Sequence, residues 1–244
     1  MSALRVRNAP VGSQRRRWTT LYLSEIFHTV QGEGRLAGVP SVFVRTSGCN
    51  LRCSWCDSAY TSWNPEGETE DVEEVVERAE TYGADHYVVT GGEPLLQPDV
   101  DDLCAALDGH VTVETNATVY RDVDAELISM SPKLSNSTPE DDAGGWREVH
   151  EQERLDFDVI ESYIDSHDYQ LKFVVADRED LDEIDDVLAS LSDYDRDRVL
   201  LMPEGVDRDT LRERGEWLAE VCKDRGFRYS PRLQIHIYGN QRGT

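Results

Sequence analysis

Three cysteines packed into eight residues, Cys49-Asn-Leu-Arg-Cys53-Ser-Trp-Cys56, are the side chains in this sequence best placed to do chemistry. Thiolates this close can wrap one metal centre. A cuboidal iron–sulfur cluster takes one thiolate per iron, so three cysteines on four irons leave one iron open to an outside ligand. The same thiols could instead belong to a structural zinc site completed by a distant His or Cys. Such sites favour paired CxxC motifs separated by a long spacer, and no second pair exists here. Downstream comes Thr90-Gly91-Gly92-Glu93-Pro94, where two adjacent glycines would let the backbone approach a ligand and leave carbonyls to accept from an ammonium group. Taken alone, that turn is a weak signal.

The elements that would position these residues follow from periodicity. Strand-like apolar blocks fall at residues 20–27, 41–46, 86–90, 111–115, 126–129, 170–175 and 199–202. Between them run stripes of helical period: Val72, Val75, Val76 and Ala79, then Val100, Leu103, Cys104 and Leu107. Two more follow, Leu181, Ile184, Val187, Leu188 and Leu191, then Leu211, Leu218, Val221 and Cys222. Strands alternating with helices imply βαβ units and a parallel sheet, hence an α/β fold. Cys104 and Cys222 sit on apolar stripes and read as packing residues. The unusual residues fall at successive strand ends: Thr46-Ser-Gly-Cys49, the Gly-Gly turn, Glu114-Thr-Asn116, Ser131-Pro-Lys133 and Met202-Pro-Glu204. In barrel-like α/β enzymes, such carboxyl ends build the site.

Composition restricts the partners. The formal charge is −24, from 49 acidic against 25 basic residues, and the first eighteen residues hold five arginines and no acid. So negative a surface repels nucleic-acid phosphates and anionic membranes, which argues against both as partners. It fits adaptation to a halophilic cytoplasm, where salt screens self-repulsion. Residues 1–18 read as a basic flexible tail and 19–244 as one domain. The triplet Arg15-Arg16-Arg17 resembles a twin-arginine signal, but Glu25 and His28 follow and no apolar segment does. Five cysteines, three of them clustered, do not make a secreted disulfide framework, so the expected location is cytoplasmic. Residues 135–154, rich in Ser, Asp, Glu and Gly and without periodicity, read as an acidic loop insertion.

The cysteine spacing, Trp55 before the last cysteine and the Gly-Gly-Glu turn after the second strand resemble the radical S-adenosylmethionine superfamily. Within it, the chain resembles the 7-carboxy-7-deazaguanine synthases. The resemblance rests on Glu25-Ile-Phe-His-Thr-Val-Gln-Gly-Glu-Gly34, Val42-Phe-Val-Arg-Thr-Ser-Gly-Cys49, Cys56-Asp57-Ser58, Tyr87 to Leu96, Glu114-Thr-Asn116, Ser131-Pro-Lys133, Gln170 to Val175, Arg232-Leu-Gln-Ile-His236 and Tyr238-Gly239-Asn240. It implies a single-domain partial (β/α) barrel with a mostly parallel sheet. It also implies a [4Fe-4S] cluster on Cys49, Cys53 and Cys56, with S-adenosylmethionine chelating the open iron and cleaved reductively. The implied reaction turns 6-carboxy-5,6,7,8-tetrahydropterin into 7-carboxy-7-deazaguanine with loss of ammonia, on the route to queuosine and archaeosine.

Carried over residue by residue, the resemblance implies that Trp55, Cys56, Asp57, Gly92, Ser131, Pro132, Lys133 and Gln170 hold S-adenosylmethionine. It implies that Thr29, Val30, Gln31, Arg45, Thr90 and His236 hold the pterin, Arg45 gripping its carboxylate as a fork. It implies Mg²⁺ on the hydroxyl of Ser58, where many members have Thr; the ligand oxygen survives and one methyl is lost. An electron donor such as flavodoxin or ferredoxin and a homodimer are implied likewise. Two features depart from the family: the 135–154 insertion, and an end in Gln-Arg-Gly-Thr244 that puts substrate contact by the terminus in doubt. Two competing readings are a glycyl-radical-enzyme activase of the same superfamily and a non-catalytic zinc-binding module.

Overall fold

The structure is a computed structural model that describes residues 19–140 and 144–244, so the expected basic tail over 1–18 lies outside the described residues. Nine strands form one sheet: β1 (Thr20–Val30), β2 (Pro40–Thr46), β3 (Glu68–Asp71), β4 (His86–Gly91), β5 (His110–Thr115), β6 (Leu127–Met130), β7 (Tyr169–Val175), β8 (Val199–Pro203) and β9 (Arg228–Tyr229). Their order is β3-β1-β2-β4-β5-β6-β7-β8-β9. β1 pairs antiparallel with β2 and β3, and every pairing from β2 to β9 is parallel. The seven expected strands are all present. The edge strands β3 (Glu-Thr-Glu-Asp) and β9 (Arg-Tyr) were not expected, since neither has an apolar face to betray it.

The main crossover helices are α2 (Val72–Glu80), α3 (Val100–Ala106), α5 (Phe157–Ser166), α6 (Asp180–Ala189) and α7 (Arg208–Arg225), with shorter α1 (Ala59–Ser62), α4 (Trp146–Glu153) and α8 (Leu233–Tyr238). Four of them carry the four expected stripes. No helix among the described residues is long and apolar enough to cross a membrane. The insertion at 135–154 is corrected by the structure: it holds a 3-10 turn at Ser135–Ser137 and α4, and 141–143 lie outside the described residues.

β2 shows how the sheet serves two purposes. Val42 and Val44 are fully buried in the main core under the helices, beside Val75, Val89 and Leu103. Phe43 and Arg45 point to the other face, as alternation requires. There Phe43 stacks on Phe27 of β1, rings 5.0 Å apart, in a small cluster with Val88. β7 is buried at every residue, as expected of a parallel strand covered on both faces. Cys104 and Cys222, exposed by 2% and 3%, belong to the main core as expected.

Candidate functional site

The concave face of the sheet encloses a cavity of about 420 Å³ lined from β1 round to β8, so the open sheet curls as a partial barrel. The lining comes from the carboxyl ends of β2 and β4 to β8 and the segments that follow them, and from the C-terminal segment after α8. Parallel strands all deliver their carboxyl ends to one side, which is why motifs scattered along the chain meet here.

Cys49, Cys53 and Cys56 all line this cavity. Their loop is pressed against the Gly91-Gly92 turn: a Cβ on Gly92 would lie 2.3 Å from the Gly48 carbonyl oxygen and 2.8 Å from Cys49 Cβ. The close approach that demands glycine is therefore made by the cysteine loop itself. Glu93, with no exposed surface, braces the arrangement, its carboxylate accepting from Leu95 N (3.1 Å), Thr115 Oγ1 (2.9 Å) and Asn116 N (2.7 Å). Burial pushes Glu93 up to about 7 against the pull of those bonds.

Burial likewise raises the thiols, Cys49 to about 12 and Cys53 to about 11, and Cys56 upward. Metal-free, they stay protonated; as thiolates they need a cationic centre. Among the described residues no three Cys, His, Asp or Glu side chains close around a point where a single ion could sit. Three cysteine sulfurs lining one cavity make a thiolate set that could hold a multi-atom iron–sulfur centre.

Beside the cysteines, Trp55, Asp57, Gly92, Ser131 and Lys133 line the cavity. Lys133 Nζ donates to Ser131 O (2.8 Å) and Oγ (2.9 Å) and lies 5.8 Å from the Trp55 ring centroid. The Trp55 indole N–H donates to Asn136 O at 3.0 Å, which fixes the ring plane. Pro132 and Gln170 do not line the cavity. Gln170 is buried and its amide is already used, donating to Ser129 Oγ (2.8 Å) and accepting from Arg35 N (3.0 Å).

In the same cavity, Gln31 Nε2 donates to Glu114 Oε1 (3.1 Å) and Thr90 Oγ1 to Glu114 Oε2 (2.9 Å). Both were expected to face substrate, and both turn out to orient one carboxylate. Arg45 has an acidic partner from another strand. The β1–β2 register sets Glu25 opposite it, with Arg45 Nε 3.0 Å from Glu25 Oε1 in an ion pair not aligned as a hydrogen bond. Arg45 Nη1 donates to Ser58 Oγ (3.3 Å), and Ser58 donates to Asp57 Oδ1 (2.9 Å). Val30 lines the cavity and Thr29 does not.

The largest correction concerns the C-terminal helix. His236 is exposed and absent from the lining, whereas Arg232, Gln234 and Ile235 line the cavity. Arg232 belongs to a charged group whose members are scattered along the sequence. Glu33 accepts from Arg232 Nε (3.1 Å), Gln234 Nε2 (2.9 Å) and Lys172, and Arg232 also pairs with Asp57. Burial would raise Glu33, but Lys172 and Arg232 outweigh it and bring it to about 2. Residues 239–244 complete the wall, and Arg242 fastens them to Glu25 (3.2 Å) and Glu66 (3.0 Å).

The family model of the radical SAM superfamily matches residues 43–134. A 7-carboxy-7-deazaguanine synthase from Halobacterium salinarum is 44% identical over 90% of this chain and 91% of its own length. One from Rhodopirellula baltica is 41% identical over 96% of this chain and 92% of its own, and one from Pyrobaculum aerophilum 36% identical over 90% and 95%. A crystal structure of QueE from Escherichia coli superposes with a TM-score of 0.65 at 24% identity, covering 86% of this chain and 93% of that one, which shows a shared fold.

Proposed function

The chain belongs to the 7-carboxy-7-deazaguanine synthase family, and on that footing we propose that its cavity takes 6-carboxy-5,6,7,8-tetrahydropterin and S-adenosylmethionine and yields 7-carboxy-7-deazaguanine with loss of ammonia. The observation that carries this reading is the meeting of two sets in one cavity: the three cysteine thiols, and the Arg45 guanidinium with the Gln31–Glu114–Thr90 triad. Held by those thiolates, a [4Fe-4S] cluster supplies the electron for reductive cleavage of S-adenosylmethionine.

The chain's own groups bind and aim the reactants. The Arg45 Nη groups take the substrate carboxylate, with Glu25 holding Nε so that the fork faces inward. Glu114, an acceptor only, takes N–H groups from the ring edge, oriented by Gln31 and Thr90. Trp55 offers a stacking face to adenine, the Gly92 carbonyl receives the ammonium, and Ser131 with Lys133 meets the carboxylate and ribose. Gln170 acts from behind, by holding Ser129 and Arg35. The stacked Phe27 and Phe43 keep water from the substrate's flank.

The Ser58 hydroxyl, with Asp57 beside it, makes a sparse oxygen set that suits Mg²⁺ arriving with substrate. That metal, a flavodoxin or ferredoxin as donor and a homodimer enter from the resemblance, and a cytoplasmic location from the clustered cysteines. An activase or zinc module is not favoured, because relatives matching over nine-tenths of the chain carry the synthase name. The test is anaerobic incubation with reductant, S-adenosylmethionine and the carboxypterin, followed by mass analysis. A product at the mass of 7-carboxy-7-deazaguanine supports the reading; cleavage of S-adenosylmethionine with the pterin left intact would sink it.

A further inference from the structure

The segment after Lys133 has no role in the scheme above, yet it grips the cysteine loop. That loop, residues 47–57, has no helix or strand of its own. Ser54 N donates to Ser137 O (2.8 Å), and Trp55 Nε1 to Asn136 O (3.0 Å). Arg52 N, between two of the cysteines, donates to Nδ1 of His150 on α4 (3.2 Å). The Arg52 guanidinium lies 4.0 Å over the Trp146 ring, and its Nη1 donates back to Cys49 O and Leu51 O, each at 2.8 Å.

His150 is an unusual residue to find fully buried, and it is the one buried residue of α4. Both ring nitrogens are used. Because Nδ1 accepts from Arg52, the proton sits on Nε2, which donates to Ser137 Oγ (2.8 Å). The Ser137 hydroxyl in turn donates to Leu134 O (2.6 Å). A fully satisfied buried chain of this kind specifies one arrangement. The segment is also fastened independently of the loop. Asn136 donates to Asp180 (2.8 Å) and Val174 O (3.1 Å), while Glu183 accepts from Ser135 N (2.8 Å) and pairs with Arg154 at 2.6 Å.

We propose that residues 135–140 and 144–153 are a positioning clamp for the cysteine loop, in which His150 holds the Arg52 amide and Trp146 holds the Arg52 side chain, so that the loop is ordered before any metal arrives. An ordered loop spares the cluster the entropy of assembling its own ligands and slows its loss. The inference rests on the reading of Cys49, Cys53 and Cys56 as cluster ligands, but its first test needs no metal.

Hydrogen exchange on the metal-free chain should show residues 50–57 exchanging about tenfold faster in His150→Ala, the scale of one lost buried hydrogen bond. His150→Asn, whose oxygen can accept where Nδ1 did, should recover part of the protection. Trp146→Ala removes a half-buried group, avoids the buried chain should His150→Ala fail to fold, and should loosen the same peptide. In anaerobically loaded protein, the variants should release iron to a chelator several-fold faster. Ile160→Ala, fully buried on α5 outside this network, controls for general destabilisation. Unchanged loop exchange in both His150→Ala and Trp146→Ala would overturn the clamp. So would equal loosening in Ile160→Ala. If the loop loosens as expected while wild type binds no iron or sulfide, the clamp stands as an ordering device and the cluster assignment falls.

Discussion

Arg45 shows what strand alternation reveals and what it hides. Its inward direction follows from Val42-Phe-Val-Arg45, because the valines must face the helices. Its partner does not, because Glu25 lies on another strand and only the register brings it opposite. Glu25 anchors Nε and turns the Nη groups, one of which donates to Ser58 Oγ, toward the substrate carboxylate. Arg45→Lys should therefore bind S-adenosylmethionine normally while the KM for the carboxypterin rises. A charge-assisted hydrogen bond contributes about 1.5–3 kcal/mol, so kcat/KM should fall roughly tenfold to a hundredfold. Steady-state kinetics check this, and an unchanged KM would leave Arg45 a purely structural partner of Glu25. The same limit explains His236. The motif Arg232-Leu-Gln-Ile-His236 is visible in the sequence, but the phase of a six-residue helix is not, and that phase turns Arg232 and Ile235 inward and His236 out. Glu33 escaped notice because Lys172 and Arg232, which give it meaning, lie 139 and 199 residues away.

Among the elements, legibility followed apolar surface. Four helices announced themselves by a periodic buried face, and seven strands by an alternating or continuous apolar run. α4, Trp-Arg-Glu-Val-His-Glu-Gln-Glu, buries a single histidine and so shows no period, and its surroundings read as loop. The junction of β4 and β5 carries a testable consequence of burial. Register sets His86 opposite His110, rings 5.0 Å apart, and His86 lies 2.6 Å from Ser41 Oγ and 2.9 Å from Thr112 Oγ1. Burial, helped by His110 and opposed by Glu126, lowers His86 from 6.5 to about 4. Between those values the unfolded chain binds a proton that the folded chain refuses, so stability must fall as pH drops from 6.5 toward 4. The slope from this residue is at most roughly 1.4 kcal/mol per pH unit. Denaturant titrations should show a shallower acid loss in His86→Gln than in wild type; equal slopes would place the proton uptake elsewhere.

At the scale of the whole molecule, a parallel sheet with its strand ends on one side gathers the cysteine loop, the Gly-Gly turn, Glu114 and Lys133 without any of them being near in sequence. This was legible because motif and strand end coincide at each position. The charge of −24 acts on the same scale. Self-repulsion among so many carboxylates is screened within about 10 Å at 0.1 M salt and about 3 Å at 1 M. The melting temperature should therefore rise between 0.1 and 2 M KCl, and a melt indifferent to salt would contradict the halophilic reading. On the proposed function, three particular cysteines of five, Cys49, Cys53 and Cys56, make this cavity a radical enzyme. The most direct measurement is iron, sulfide and reductive S-adenosylmethionine cleavage, determined anaerobically in Cys53→Ala and Cys104→Ala side by side. Cys53→Ala should lose all three together and Cys104→Ala, altered only in its core packing, should keep them; a Cys53→Ala protein that retains its iron and sulfide and still cleaves S-adenosylmethionine would rule Cys53 out as a cluster ligand.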